Sequence, residues 1–400
     1  MKLKKIEMSK KHFETFAIRT QTERSSQKEH STPIFATSSF IFDSAEEARA
    51  LFADEIDGNI YSRYSNPNTD EFIDKLCLLE GVEDGVATAT GMAAIFLALI
   101  SYLRSGDHIV ASRSIFGSTH KLLTSILPRW GITHTYVDIS DNEQWRDAIM
   151  PQTRLFFAET PSNPGLDLCD LTYIGKLAKK HNCLLVVDNC FATPFLQNPA
   201  KFGAHLICHS ATKFIDGQGR TLGGAVLGSS ALIKEVRDIA RQTGPSLSPF
   251  NAWILSKSLE TLAVRMERHC KNAFELATFL SGSKEIQSVK YPFLENHPQS
   301  DLARIQMKMG GALVSFELKG GIKRCIRFMD HLRLLSLTSN LGDTRTIITH
   351  PASTTHSKLS NEERASVNIT DELIRVSVGL EHIDDIISDI RQALNKSKTK

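Results

Sequence analysis

The chain has 400 residues, of which 41% are apolar and 23% charged, with a formal net charge of +2; this is the balance of a folded globular protein, not of a disordered or membrane-embedded one. So small a net charge gives no field for nucleic acid, and the basic ends (Lys2, Lys4, Lys5; Lys396, Lys398, Lys400) read as solvated tails. Seven cysteines without a CxxC pair argue against a disulfide framework and for a reducing compartment. The longest apolar stretch, residues 92–100, is too short for a bilayer, and no apolar leader follows Met1, so a cytoplasmic protein with no membrane partner is expected.

A chain of this length exceeds the size at which one core usually stops growing, which predicts a large and a smaller domain. Residues 1–60 are polar and weakly periodic, as in an arm that orders against another surface. From Asn59 onward, apolar β-branched runs alternate with helical stretches, placing strands near 86–89, 109–111, 136–139, 155–158, 184–187 and 206–208. Runs that are apolar at successive positions suit strands covered on both faces. Residues 61–256 therefore predict an α/β domain built on a mainly parallel sheet. Gly217, Gly219, Gly223 and Gly224 lack the spacing of a nucleotide loop and read as a flexible turn. Beyond residue 256, a long helix over 259–280 and strand-like runs at 312–318 and 373–378 predict a smaller α+β domain, 257–400, with antiparallel strands.

Open α/β sheets bind ligands beyond the carboxyl ends of their strands, so polar residues that follow apolar runs are the candidates for chemistry. Asp188 ends a run of four aliphatic residues, where a bare carboxylate is costly without a cation facing it. A protonated pyridine nitrogen is one such cation; taken alone, Asp188 reads first as a helix cap or an ordinary salt-bridge partner. Lys213 carries an amine able to form an imine if part of it is kept neutral, although alone it reads as a surface cation. Ser210 and Thr212, two apart on an extended segment, present hydroxyls to one side, where they can serve a phosphate. Thr90, Gly91 and Met92 stand where a strand gives way to an apolar helix, so free N–H groups there suit an anion, or simply make a tight turn. His205, Cys208 and His209 do not converge as metal ligands, because Cys208 alternates to the opposite face of its strand; no metal is expected.

In this order the segments resemble the Cys/Met-metabolism family of pyridoxal 5′-phosphate (PLP) enzymes over about residues 30–395. The resemblance rests on Tyr61-Ser-Arg-Tyr-Ser-Asn-Pro-Asn68, Ala89-Thr-Gly-Met92, Glu159-Thr-Pro-Ser-Asn-Pro164, Val187-Asp-Asn189, His209-Ser-Ala-Thr-Lys213 and Leu373-Ile-Arg-Val-Ser-Val-Gly-Leu380. It implies the type I, aminotransferase-like PLP fold, with a Schiff base at Lys213 and Asp188 at the ring nitrogen. The phosphate would be held by Gly91, Met92, Ser210 and Thr212, with Tyr61 and Arg63 reaching in from a neighbouring subunit of a homotetramer, a dimer of dimers with shared active sites. Asn163 would serve the cofactor or the substrate, and Arg375 would clamp the substrate carboxylate, which an Arg fork fits better than a Lys point charge.

Asn340 joins the substrate side of that set, Tyr61 and Lys213 its acid/base side. Phe116 takes the place where many members stack a Tyr, and so lacks the hydroxyl; Thr90 replaces a more usual Ser. Segments 112–119, 214–220, 244–253 and 338–344 resemble the O-succinylhomoserine sulfhydrylases. The implied reaction is γ-replacement on an activated homoserine ester by sulfide, giving homocysteine and succinate in methionine biosynthesis. Cystathionine γ-synthase, O-acetylhomoserine sulfhydrylase, a methionine or cystathionine lyase, and a non-catalytic PLP-binding scaffold are the alternatives.

Overall fold

The computed structural model describes residues 11–354, 357, 364 and 369–398. Lys2, Lys4, Lys5 and Lys400 lie outside them, and Lys398 is not a free tail cation, since it pairs with Glu285 at 3.0 Å.

The apolar runs fall in β1 (Asp84–Thr88), β2 (His108–Ser112), β3 (Thr133–Val137), β4 (Thr153–Glu159), β5 (Leu184–Asp188) and β6 (Leu206–Ser210), with β3 starting three residues earlier than expected and ending before Asp138 and Ile139. With β7 (Gly224–Gly228) they form a seven-stranded sheet in the order β1-β7-β6-β5-β4-β2-β3. Every neighbouring pair is parallel except the two made by β7. The side chains of β5 explain its sequence: Val186 packs into the cluster containing Leu97, while Leu185 and Val187 pack on the other face with Ile174. A strand buried on both faces has no polar side to alternate with.

Strand β7 corrects the reading of the glycines as one flexible turn. Gly217 and Gly219 do turn, with φ of +70° and +66°, but Gly224 opens a strand buried throughout. A Cβ on Gly224 would lie 2.4 Å from the Thr90 carbonyl oxygen, so the missing side chain serves close approach.

The second sheet is formed by β8 (Ile286–Lys290), β9 (Leu313–Leu318), β10 (Ser336–Leu337), β11 (Ile347–Thr349) and β12 (Leu373–Ser377), in the order β10-β11-β12-β9-β8. Its pairs are antiparallel apart from β10 with β11. The long helix runs over Leu262–Ser281, separate from the helix Pro249–Leu259 before it.

Residues 11–60 contain two short helices, Phe13–Arg19 and Ala45–Phe52. Part of the surface this arm orders against is its own chain: Thr22 and Thr32 bond to Glu71 on the helix Pro67–Glu80, and Trp253 Nε1 donates to the Thr32 carbonyl at 2.8 Å. Among the described residues no helix is long and apolar enough to cross a membrane.

Candidate active site

Strands β4, β5 and β6 end side by side on Glu159, Asp188 and Ser210, beside the start of the helix Gly91–Ile100. Thr90 caps that helix, its Oγ1 accepting from the Ala93 N–H at 3.1 Å. The first N–H groups of a helix have no intrahelical acceptor, and here they belong to Gly91 and Met92. A Cβ on Gly91 would stand 2.5 Å from the Ser210 Cβ; glycine therefore lets the helix start close against the serine. The result is a concave set of N–H and hydroxyl donors suited to an anion.

Thr212 reaches this region by a different route from the one expected. The chain turns immediately after Ser210, with Lys213 N–H bonded to the Ser210 carbonyl at 3.2 Å and Gly217 N–H to that of Lys213 at 2.8 Å. Strand alternation therefore does not apply beyond Ser210. The Thr212 hydroxyl is engaged by Gly223, accepting from its N–H at 3.1 Å and donating to its carbonyl at 3.3 Å.

The Lys213 amine donates to Asn340 Oδ1 at 2.6 Å. That contact spans the two sheets and depends on Gly342, whose φ is +80° and whose Cβ would fall 2.6 Å from the Phe214 nitrogen. Gly342 N–H is itself tied to Ser377 Oγ at the end of β12 at 2.9 Å. On β12, Arg375 is 2% exposed; it donates from Nη1 to Asn163 Oδ1 at 2.8 Å and from Nη2 to the Asn340 carbonyl at 3.3 Å. Its Nε has no partner among the described residues. Lys213, Asn340, Arg375 and Asn163 thus form one continuous set.

Burial pushes the Lys213 amine below the usual lysine range, with Arg375 adding to the effect and Cys190 opposing it. Burial also raises Asp188 to about 6, against the 3.0 Å bond it accepts from Cys190 N–H and the influence of His209. Among the described residues no lysine or arginine pairs with Asp188. Glu159 is held well above the carboxylate range by burial and then by Asp188, while burial brings Arg375 down to about 10.

Tyr61 and Arg63 do not join this set within one chain. Tyr61 is 42% exposed, and Arg63 stacks on Tyr61 and Tyr64 at 5.5 and 4.8 Å and bonds to the Arg241 carbonyl. Phe116 is 39% exposed at the mouth of β2. His209, set aside as a metal ligand, faces Glu80 at 2.7 Å. Two contacts escaped the sequence reading: that of Lys213 with Asn340, and the 2.7 Å bond from Phe116 N–H to Glu159 Oε2. Glu159 was visible only as the first letter of a motif.

An anion cradle, a buried amine held below the usual lysine range and a buried carboxylate lacking a cation match, in turn, the phosphate, aldehyde and ring nitrogen of PLP. The fold and this set of groups define a PLP-dependent α/β enzyme. Residues 14–395 match the model of the Cys/Met metabolism PLP-dependent enzymes. An O-succinylhomoserine sulfhydrylase of Pseudomonas aeruginosa is 48% identical over 96% of this chain and 95% of its own length. An L-methionine γ-lyase of Fusobacterium nucleatum is 43% identical over 98% of this chain and all of its own.

Among solved structures, a Campylobacter jejuni protein titled as an O-acetylhomoserine (thiol)-lyase and carrying a pyridoxyl-lysine phosphate superposes with a TM-score of 0.93, at 37% identity over 96% of this chain and 100% of that one. A cystathionine γ-synthase from Xanthomonas oryzae gives 0.92 at 35% identity, over 97% and 98% of the two chains. The chain belongs to the Cys/Met metabolism family of PLP-dependent enzymes, and its chemistry is PLP-dependent γ-replacement or elimination in cysteine and methionine metabolism.

Proposed function

We propose that the chain acts as an O-succinylhomoserine sulfhydrylase, converting O-succinyl-L-homoserine and sulfide to L-homocysteine and succinate. The observation that carries the reading is the buried fork of Arg375, set beside Asn163 and Asn340 and one residue away from the Lys213 amine. It places a carboxylate clamp next to a group able to move protons, as an α-amino acid substrate requires. The likeness to a sulfhydrylase at 48% identity supports the choice of ester and donor.

When bound, PLP supplies the electron sink for bond changes along the substrate side chain. Lys213 would hold it covalently, and its amine, when free, would be placed to move protons at the substrate Cα and Cβ. Asp188 keeps the ring nitrogen protonated. Gly91 and Met92 N–H groups and the Ser210 hydroxyl would hold the phosphate, joined by Thr212 where its hydroxyl turns from the Gly223 carbonyl, with Thr90 fixing the helix start. Phe116 covers the ring. Asn163 and Asn340 orient Arg375, which takes the substrate carboxylate. Succinate departs from Cγ and sulfide adds there; so small a nucleophile needs little space, which leaves selectivity against cysteine to restricted room near Cγ.

Tyr61 and Arg63 serve the site of a neighbouring subunit in a cytoplasmic homotetramer. Their exposure supports this, as do Phe52, Leu222 and Phe250, each more than half exposed on the single chain. A methionine γ-lyase activity is the second reading, favoured by relatives at 41–43% identity. Product analysis decides: succinyl, acetyl and phosphoryl homoserine esters are each supplied with sulfide or cysteine. Homocysteine from the succinyl ester and sulfide is expected. Cystathionine as the main product, or keto acid released from methionine at a comparable rate, would overturn the proposal.

A further inference from the structure

We propose that Glu159 is a positioning residue whose carboxyl group anchors the backbone of Phe116 and so sets the aromatic ring that covers the cofactor. This rests on the reading above that Phe116 stacks there. The segment after β2 leaves the sheet at Arg113, whose N–H bonds to the Val137 carbonyl at 2.9 Å, and Ile115 is buried beneath it. Phe116 then begins the helix Gly117–Lys121 without a side-chain cap. Its ring makes no aromatic contact among the described residues. Its carbonyl accepts from the His120 N–H at 2.9 Å within the helix's first turn, and its N–H ties it to the sheet, 2.7 Å from Glu159 Oε2.

Glu159 is itself held rigidly, as the last residue of β4 in register with Asp188, and it is 3% exposed. No lysine or arginine pairs with it among the described residues. Burial and then the adjacent Asp188 push its carboxyl upward, against the Phe116 N–H and Arg375; protonated or not, it keeps an oxygen that accepts a backbone N–H. The carboxyl group therefore acts here through an accepting oxygen, which an amide also has. The arrangement leaves Asp188 as the site's anion and gives Glu159 a mechanical role.

The test is titration of the apoprotein with PLP in Glu159→Gln, Glu159→Ala, Phe116→Ala and the double alanine variant. Affinity is read from the visible band, ring placement from visible circular dichroism, and fold from melting of the apoprotein. Phe116→Ala and Glu159→Ala should each weaken PLP binding about tenfold and diminish the dichroism. Glu159→Gln should stay within about twofold of wild type, and the double variant should be no worse than either single one. Glu159→Met, which fills the space without an acceptor, replaces the alanine if the cavity unfolds the protein.

Equal losses in Glu159→Gln and Glu159→Ala would show a charge role and overturn the proposal, as would additive losses in the double variant. An intact Glu159→Ala beside an impaired Phe116→Ala would refute the anchoring alone. An unimpaired Phe116→Ala would remove the stacking reading, and the anchoring with it.

Discussion

Replacing Arg375 with lysine keeps a positive charge and removes a geometry. The guanidinium spends Nη1 on Asn163 and Nη2 on the Asn340 carbonyl, and its Nε is unpartnered among the described residues. A lysine amine can reach a carboxylate through one bond where the fork offers two, and it cannot keep both asparagine contacts while doing so. A hydrogen bond to a charged group is worth about 1.5–3 kcal/mol, and loosened placement of the substrate adds to that loss, giving roughly 2–4 kcal/mol in the transition state. The expected fall in kcat/KM is therefore about 30- to 1000-fold. Burial that already brings the arginine down to about 10 would press harder on an ammonium, which ionises less readily there. The assay is steady-state turnover of the homoserine ester, with the visible cofactor band as an internal control that should be unchanged. A kcat/KM within threefold of wild type would refute the clamp.

Asn340→Ala removes the acceptor 2.6 Å from the Lys213 amine; kcat should drop about tenfold while the cofactor spectrum persists, as a stopped-flow and absorbance comparison can check. Asp188 has a folded-state value of about 6, above its ordinary 3.8, so it favours the apo fold below about pH 3.8 and that benefit is lost as pH rises through about 6. Apo Asp188→Asn should accordingly melt higher than wild type near pH 7, by an amount on the order of 1–3 kcal/mol, match it near pH 4, and bind PLP poorly. Glu71 is the opposite case: burial alone would raise it, but Thr32, Thr22, Ser256 and Lys75 hold it at about 2, so its contribution is full above about 4.5 and lost as pH falls towards 2. Glu71→Gln strands part of the charge of Lys75, which is fully buried. It should cost about 2–4 kcal/mol in denaturant unfolding and expose the segment around Thr22–Thr32 to proteolysis.

The parts legible in the sequence were those where one physical demand dominates a short stretch. Strands β2, β4, β5 and β6 announce themselves because double-sided burial requires nearly unbroken aliphatic runs, whereas β3, at the sheet's edge and largely uncovered, met its expected run only at Tyr136 and Val137. Strand β7 stayed hidden because the residue that lets it approach Thr90, Gly224, is also the residue of turns. Thr212 was placed by extrapolating strand alternation two residues beyond Ser210, past the point where the backbone bonds to itself and turns. The Lys213 contact with Asn340 joins positions 127 residues apart, and no local pattern encodes such a pairing. Glu159 was overlooked for a different reason: its function is expressed through the backbone of Phe116, which carries no side-chain signature.

Two buried carboxylates show how this chain separates scaffold from site. Glu71 accepts from Thr22, Thr32 and Ser256 and faces Lys75 at 3.2 Å, so the fold supplies everything its charge needs. Asp188 receives one bond, from Cys190, and no lysine or arginine among the described residues. Burial therefore wins at Asp188 and loses at Glu71, although both are almost inaccessible to water. The same imbalance holds for its neighbours: burial pushes Lys213 and Arg375 down and Glu159 up. A group stabilised by its own chain has nothing left to offer a ligand. One left short of partners gains them when a cation, an aldehyde or a carboxylate arrives, and that gain can be directed to binding and to the transition state. The clustering of three such groups, Asp188, Lys213 and Arg375, at the ends of β5 and β6 and on β12 locates the chemistry independently of any motif.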